Sequence, residues 1–175
     1  MKKTALIKSI SLAFAFFCMF KSADAQRPSP AATATGTING ANVSIKYSSP
    51  GVKGRKIYGT ELVPYGEVWR AGANEATIFE TDKDLKVEGK TLPAGKYSIY
   101  IIASEKDWII IFNSQTGQWG IHMDGSTTED PSKDVIRVTV TPKKSDAMTE
   151  RLVYKINNDG FVLSWEWLDV PVSIK

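Results

Sequence analysis

Residues 97–113 read YSIYIIASEKDWIIIFN, two apolar runs of strand-forming residues around a short polar insert. Strands joined by a turn make a checkable claim, because the loop fixes which residues oppose each other and their polarity must then agree. With Ser104 to Asp107 as a four-residue loop, Ala103 faces Trp108, Ile101 faces Ile110 and Ile99 faces Phe112. The alternate positions Ile102 and Ile109 are apolar as well, so this hairpin is expected at the centre of a sheet, covered on both faces.

Two more hairpins follow from the same reasoning. With Asn39-Gly40 as a type I′ turn, Ile38 faces Ala41, Gly36 faces Val43 and Ala34 faces Ile45 on a small apolar face, while Thr37–Asn42 and Thr35–Ser44 make a polar one. With Asp159-Gly160 as the turn, Ile156 faces Leu163, Tyr154 faces Trp165 and Leu152 faces Trp167, which predicts a broad buried aromatic face. Residues 135–140, VIRVTV, alternate cleanly, and strands also fit residues 77–81, 85–87 and 170–174. Apolar residues recur nowhere at helical spacing over a dozen positions, although a helical turn fits residues 59–63 or 145–149. The reading is an all-β chain, an antiparallel β-sandwich or partly closed barrel of about 8–10 strands. Tyr97, soon after Gly95, is placed to return its hydroxyl to the backbone at a sheet corner.

The first 25 residues read as a cleavable signal: basic MKKTALIK, the short apolar run SISLAFAFFCMF, then Ala23-Asp24-Ala25, with Gln26 as the mature start. The apolar run is shorter than the roughly 20 residues that span a bilayer. The only cysteine, Cys18, follows bulky Phe17 inside that run, so the mature chain has no thiol, no disulfide and no cysteine metal ligand. Removing Lys2, Lys3, Lys8, Lys21 and Asp24 from the 22 basic and 19 acidic residues leaves 18 of each. A neutral chain with interspersed charges lacks the footprint of a nucleic-acid binder. Residues 26–35 read as an extended leader rich in proline, threonine and small residues, and residues 36–175 as a single domain.

One polar stretch interrupts the strands: VPYGEVWRAGANEAT, residues 63–77. A binding reading makes Tyr65 and Trp69 stacking platforms, and makes Glu67, Arg70, Asn74 and Glu75 a polar ring suited to hydroxyls or a carboxylate, with Trp119 nearby. The structural reading makes it a locked turn, with Arg70 bridging Glu67 or Glu75, Trp69 plugging the core, and Gly66 and Gly72 at positive φ. Glu67 and Glu75 could also be the paired acids of a glycosidase if they face one sugar site.

The single histidine, His122, lies in QWGIHMDGSTTEDPSKD with Asp124, Glu129 and Asp130. One imidazole and no cysteine is a poor zinc set, the spacing is not that of a calcium loop, and no serine elbow or phosphate-cradling glycine motif is present. No cofactor or metal is expected. Trp108, Trp165 and Trp167 fall on the apolar faces above and read as core, leaving Trp69 and Trp119 as the tryptophans with a claim to the surface.

The runs GRKIYGTELVPYGEVWRAGANEAT, LPAGKYSIY, WIIIFN and QWG together resemble a bacterial family, the domain of unknown function 2911, from about Gly36 to the C-terminal strands. The resemblance implies a secreted β-sandwich-like domain and carries no catalytic residues. The leading expectation is a periplasmic or secreted binding or envelope-associated module, taking a small molecule, glycan or peptide at Tyr65, Glu67, Trp69, Arg70, Asn74, Glu75 and Trp119. The alternatives are a hydrolase built on Glu67 and Glu75 or on the His122 loop, and an assembly protein that uses a sheet edge.

Overall fold

A computed structural model describes residues 28–175. The signal, Cys18 and the Gln26 start lie outside the described residues. Eleven strands are present among them, β1 Ala31–Ile38, β2 Ala41–Ser48, β3 Val68–Trp69, β4 Thr77–Thr81, β5 Leu85–Val87, β6 Lys90–Leu92, β7 Gly95–Ile102, β8 Trp108–Asn113, β9 Asp134–Val140, β10 Lys143–Asn157 and β11 Gly160–Ser173, and no α-helix. One 3₁₀ turn, Pro131–Lys133, precedes β9. Residues 145–149, where a helical turn fits the pattern, run instead inside β10, and 59–63 form an irregular turn.

One layer is a seven-stranded antiparallel sheet in the order β1-β2-β4-β7-β8-β9, with β3 also on β7. The other is the long β10–β11 hairpin, extended by β5 and β6 through a bridge between Val87 and Ile174. The two layers enclose one apolar core, giving an open sandwich and no closed barrel. Of the stretch read as a leader, residues 31–35 are hydrogen-bonded as the start of β1.

The central hairpin has the expected register, Ile99 opposite Phe112 and Ile101 opposite Ile110, with both strands almost wholly buried. β1 and β2 pair as expected around Asn39 (φ 49) and Gly40 (φ 76). Gly36 is required there for space, since a Cβ would stand 2.7 Å from Cγ2 of Ile156 in the opposite layer. Tyr97 makes the predicted corner, its hydroxyl donating to the Pro93 carbonyl at 2.8 Å.

The third hairpin differs in two ways. The side chain of Asn157 accepts from the Asp159 amide at 2.9 Å, so the turn begins at Asn157 and Tyr154 faces Leu163, two residues from the expected Trp165. Gly160 belongs to the strand, where a Cβ would collide with the Val172 carbonyl. Further along, Glu166 adopts φ 56 at a shift of register, and the alternation breaks. Trp165 stays in the core at 2% exposure, whereas Trp167, expected inside, is 49% exposed.

Candidate functional site

The stretch 63–77 is a strand interrupted by a closed loop. Trp69 pairs with Ile101 and Thr77 with Ile99 on the same side of β7, so the chain leaves the ladder after Trp69 and rejoins it at Thr77. The Thr77 amide donates to the Arg70 carbonyl at 3.3 Å, which closes the excursion at its neck.

Inside the loop most of the unusual residues are consumed by the fold. Trp69, 7% exposed, stacks on Trp165 with centroids 5.9 Å apart and donates Nε1–H to the Gly72 carbonyl at 3.2 Å. Ala71 takes φ 56 and turns its carbonyl into the core, where it accepts from the Tyr154 hydroxyl at 2.8 Å and from Thr77 Oγ1 at 2.9 Å. Gly72 does not have the positive φ expected of it; it is needed because a Cβ would lie 2.8 Å from Thr77 Oγ1 and 3.2 Å from the Ser48 carbonyl. Gly66 does have positive φ, at 79°. Asn74, at φ 58, donates its amide to the Ser29 carbonyl at 3.0 Å.

Arg70 is half-buried and reaches across to the segment that follows β8. Its Nη1 donates to the Trp119 carbonyl at 3.4 Å, and its Cζ lies 5.9 Å from the centre of the Trp119 ring. Partial burial lowers the Arg70 pKa, and the charge of Glu75 opposes that shift. Gly120 admits the arginine: a Cβ there would stand 2.8 Å from Arg70 Cβ. Tyr65 lies over Gly59 in the same manner, with a ring carbon 2.8 Å from the position a Cβ would take.

Between these packed groups a cleft of about 320 Å³ remains open. Glu67, Trp69 and Arg70 line it from the stretch itself, and Arg55, Glu61 and Leu62 from the preceding connection. Ile121 and Gly125 close the far side, and Trp165 lines the base. Arg55 is anchored by donating Nε–H to the Val52 carbonyl at 3.0 Å and Nη2–H to the Gly51 carbonyl at 2.8 Å. The Trp165 Nε1–H is one of two buried side-chain polar atoms among the described residues with no partner. Buried indole donors are usually satisfied, so this group is an exception within the core. Beside it, burial and the Glu166 charge raise the Tyr58 phenol far above its ordinary pKa, keeping it a neutral donor to the Trp165 carbonyl at 3.3 Å.

A larger hollow of about 580 Å³ lies over β1, β2 and β4, but it is the open polar face of the sheet, without convergent loops. The cleft is the better candidate because three segments meet there with an aromatic base and both signs of charge. It joins Glu67, Trp69 and Arg70 but not the other expected residues: Glu75 lines a separate hollow with Lys46, Tyr65 an adjoining one that shares Glu61, Pro64 and Glu67 with the cleft, Asn74 is tied to Ser29, and Trp119 accepts from Arg70. Glu67 and Glu75 therefore share no cleft, as a glycosidic pair would require. Arg55, Glu61 and Leu62 were legible only as a loop, and Trp165 only as core.

The acidic groups near His122 are each engaged elsewhere. Asp124 accepts from the Ser126 amide and hydroxyl, Asp130 caps the 3₁₀ turn through Ser132, and Glu129 pairs with Arg137 at 3.0 Å. Hydrogen bonding to Ser126 and to Ser132 lowers the Asp124 and Asp130 carboxyls below their ordinary range. No group of three or more His, Cys, Asp or Glu among the described residues could hold a metal ion. Nor is any helix among them long and apolar enough to cross a membrane.

Neither the curated proteins nor the solved structures contain a match to this chain. A family model does match, over residues 29–175, which takes in every strand of both layers and begins seven residues before Gly36. The chain therefore belongs to the family described as Protein of unknown function (DUF2911).

Proposed function

We propose that the protein is exported on a cleavable signal and acts outside the cytoplasm as a binding module, taking a small molecule, a glycan or a short peptide in the cleft lined by Glu67, Trp69 and Arg70. The observation that carries this reading is the cleft itself, where Arg55, Glu61, Glu67 and Arg70 meet the side chains of Trp69 and Trp165. The carboxylates of Glu61 and Glu67 and the guanidinium of Arg55 would orient a polar or charged end of the ligand against the Trp69 and Trp165 rings. The rigid tie of the loop to β7 and to Tyr154 favours binding in a preformed site.

Thermal-shift screening of residues 26–175 against sugars, short peptides and divalent metals tests the proposal. A ligand at a hundred times its dissociation constant stabilises by about 2.7 kcal/mol, which raises the melting temperature by roughly 5–10 °C in a domain of this size. Glu67→Lys, on an exposed position, is expected to keep the fold and abolish the shift. A shift that survives this change and Leu62→Arg would move the site elsewhere, and no shift with any class would remove the binding reading. N-terminal sequencing of the extracytoplasmic protein is expected to begin at Gln26.

A further inference from the structure

Three of the longer strands of this sandwich, β9, β10 and β11, carry contacts that cover part of their free sides. At β9, Lys90 Nζ reaches over to the Arg137 carbonyl at 2.7 Å. Along β10, Gly51 bridges Arg151, the Val52 amide donates to the Glu150 carbonyl at 2.7 Å, and Leu152 donates to Pro50 at 3.0 Å. The far side of β11 is taken by β5 and Glu88, whose amide donates to Ser173 at 2.9 Å. Such devices stop an edge from pairing with foreign strands.

β1 has none of them. It runs for eight residues, AATATGTI, with no charged side chain, no proline and an unbroken register against β2. Its backbone phase can be read from two observations. The two-residue turn makes Ile38–Ala41 a hydrogen-bonded pair, and at the other end the Ser49 amide donates to the Pro30 carbonyl at 2.8 Å. The even-numbered residues therefore bond to β2, and the N–H and C=O groups of Ala31, Thr33, Thr35 and Thr37 point away from the sheet. Among the described residues nothing bonds to them.

We propose that this edge pairs with the same edge of a second copy, antiparallel about a two-fold axis through Thr35, joining two sheets into one continuous sheet. The occupant follows from the strand itself. An antiparallel self-pairing sets Thr35 opposite Thr35 and Thr33 opposite Thr37, so the outward-pointing phase of one strand meets the outward-pointing phase of the other. The exposed threonines then face threonines, a favourable cross-strand pair, and an edge without charge brings no like charges together. On the inner side Ala32, Ala34 and Gly36 are too small to obstruct the approach.

Sedimentation velocity and light scattering on residues 26–175 over a wide concentration range test this. The expected result is a dimer at high concentration. Thr35→Pro removes the central outward N–H, and Thr35→Lys places like charges on the axis; Thr35 is exposed, so circular dichroism and dilute-solution melting are expected to stay as in the wild type. Each change is expected to raise the dimer dissociation constant at least tenfold. A wild-type chain that stays monomeric at the highest concentration overturns the proposal, as does a dimer that both variants form as tightly as the wild type.

Discussion

Replacing Tyr154 by phenylalanine and Thr77 by valine, singly and together, tests whether the loop is locked from inside the core. Both hydroxyls donate to the Ala71 carbonyl, at 2.8 and 2.9 Å, and Ala71 and Thr77 are fully buried. Either single change leaves the carbonyl one donor and removes one hydrogen bond, a loss of about 1 kcal/mol. The double change leaves a buried carbonyl with neither, and orphaning such a group costs about 1–3 kcal/mol more. The total is then about 3–5 kcal/mol against about 2 for the sum of the singles. In melting temperature each single loses roughly 2–4 °C and the double roughly 10 °C. Urea unfolding followed by tryptophan fluorescence measures all four corners of the cycle, and the coupling is the difference. Additivity within about 0.5 kcal/mol would refute the shared-acceptor reasoning.

Three further changes are predicted. Gly120→Ala combines φ +94 with a Cβ 2.8 Å from Arg70 Cβ, so a loss of about 2–4 kcal/mol by chemical denaturation is expected, together with a looser Arg70. Tyr97→Phe removes the corner bond to Pro93 and is expected to cost about 1 kcal/mol, read as a fall in melting temperature of roughly 2–4 °C. Glu129, whose side chain is almost fully buried, has its carboxyl pushed above the ordinary value of 4.5 by burial and then by the Asp134 charge, against the pull of Arg137. The protonated form is thus favoured on folding, a contribution complete below pH 4.5 and lost as the pH rises through the raised value. Wild-type stability relative to Glu129→Gln is therefore expected to decline as the pH rises above 4.5, and a flat difference would contradict it.

The hairpins were legible where the turn alone decides the register. Asn39-Gly40 and the Ser104–Asp107 loop bind two strands whose alternation continues undisturbed, so local pattern and tertiary pairing agree. NNDG was misread because Asp-Gly is the stronger turn signal, whereas Gly160 is demanded by the approach of Val172 from the far end of the same strand, a contact no local window contains. Trp167 was assigned inside because period two was carried through Glu166, a position that turns left-handed without a glycine to announce it. The candidate site was legible as a polar stretch in the wrong place for a strand. Its division into three cleft residues and several struts was not, because the partners of Arg70 and Asn74, Trp119 and Ser29, lie far away in the chain.

Lys175 is part of the sandwich. Lys175 and Lys86 exchange both backbone hydrogen bonds, at 2.7 and 2.9 Å, and Ile174 donates to Asp159. These bonds join two points of the chain with β6 to β11 between them, so the second layer closes only after a long stretch of polypeptide has been brought together, a pairing of the kind that slows folding.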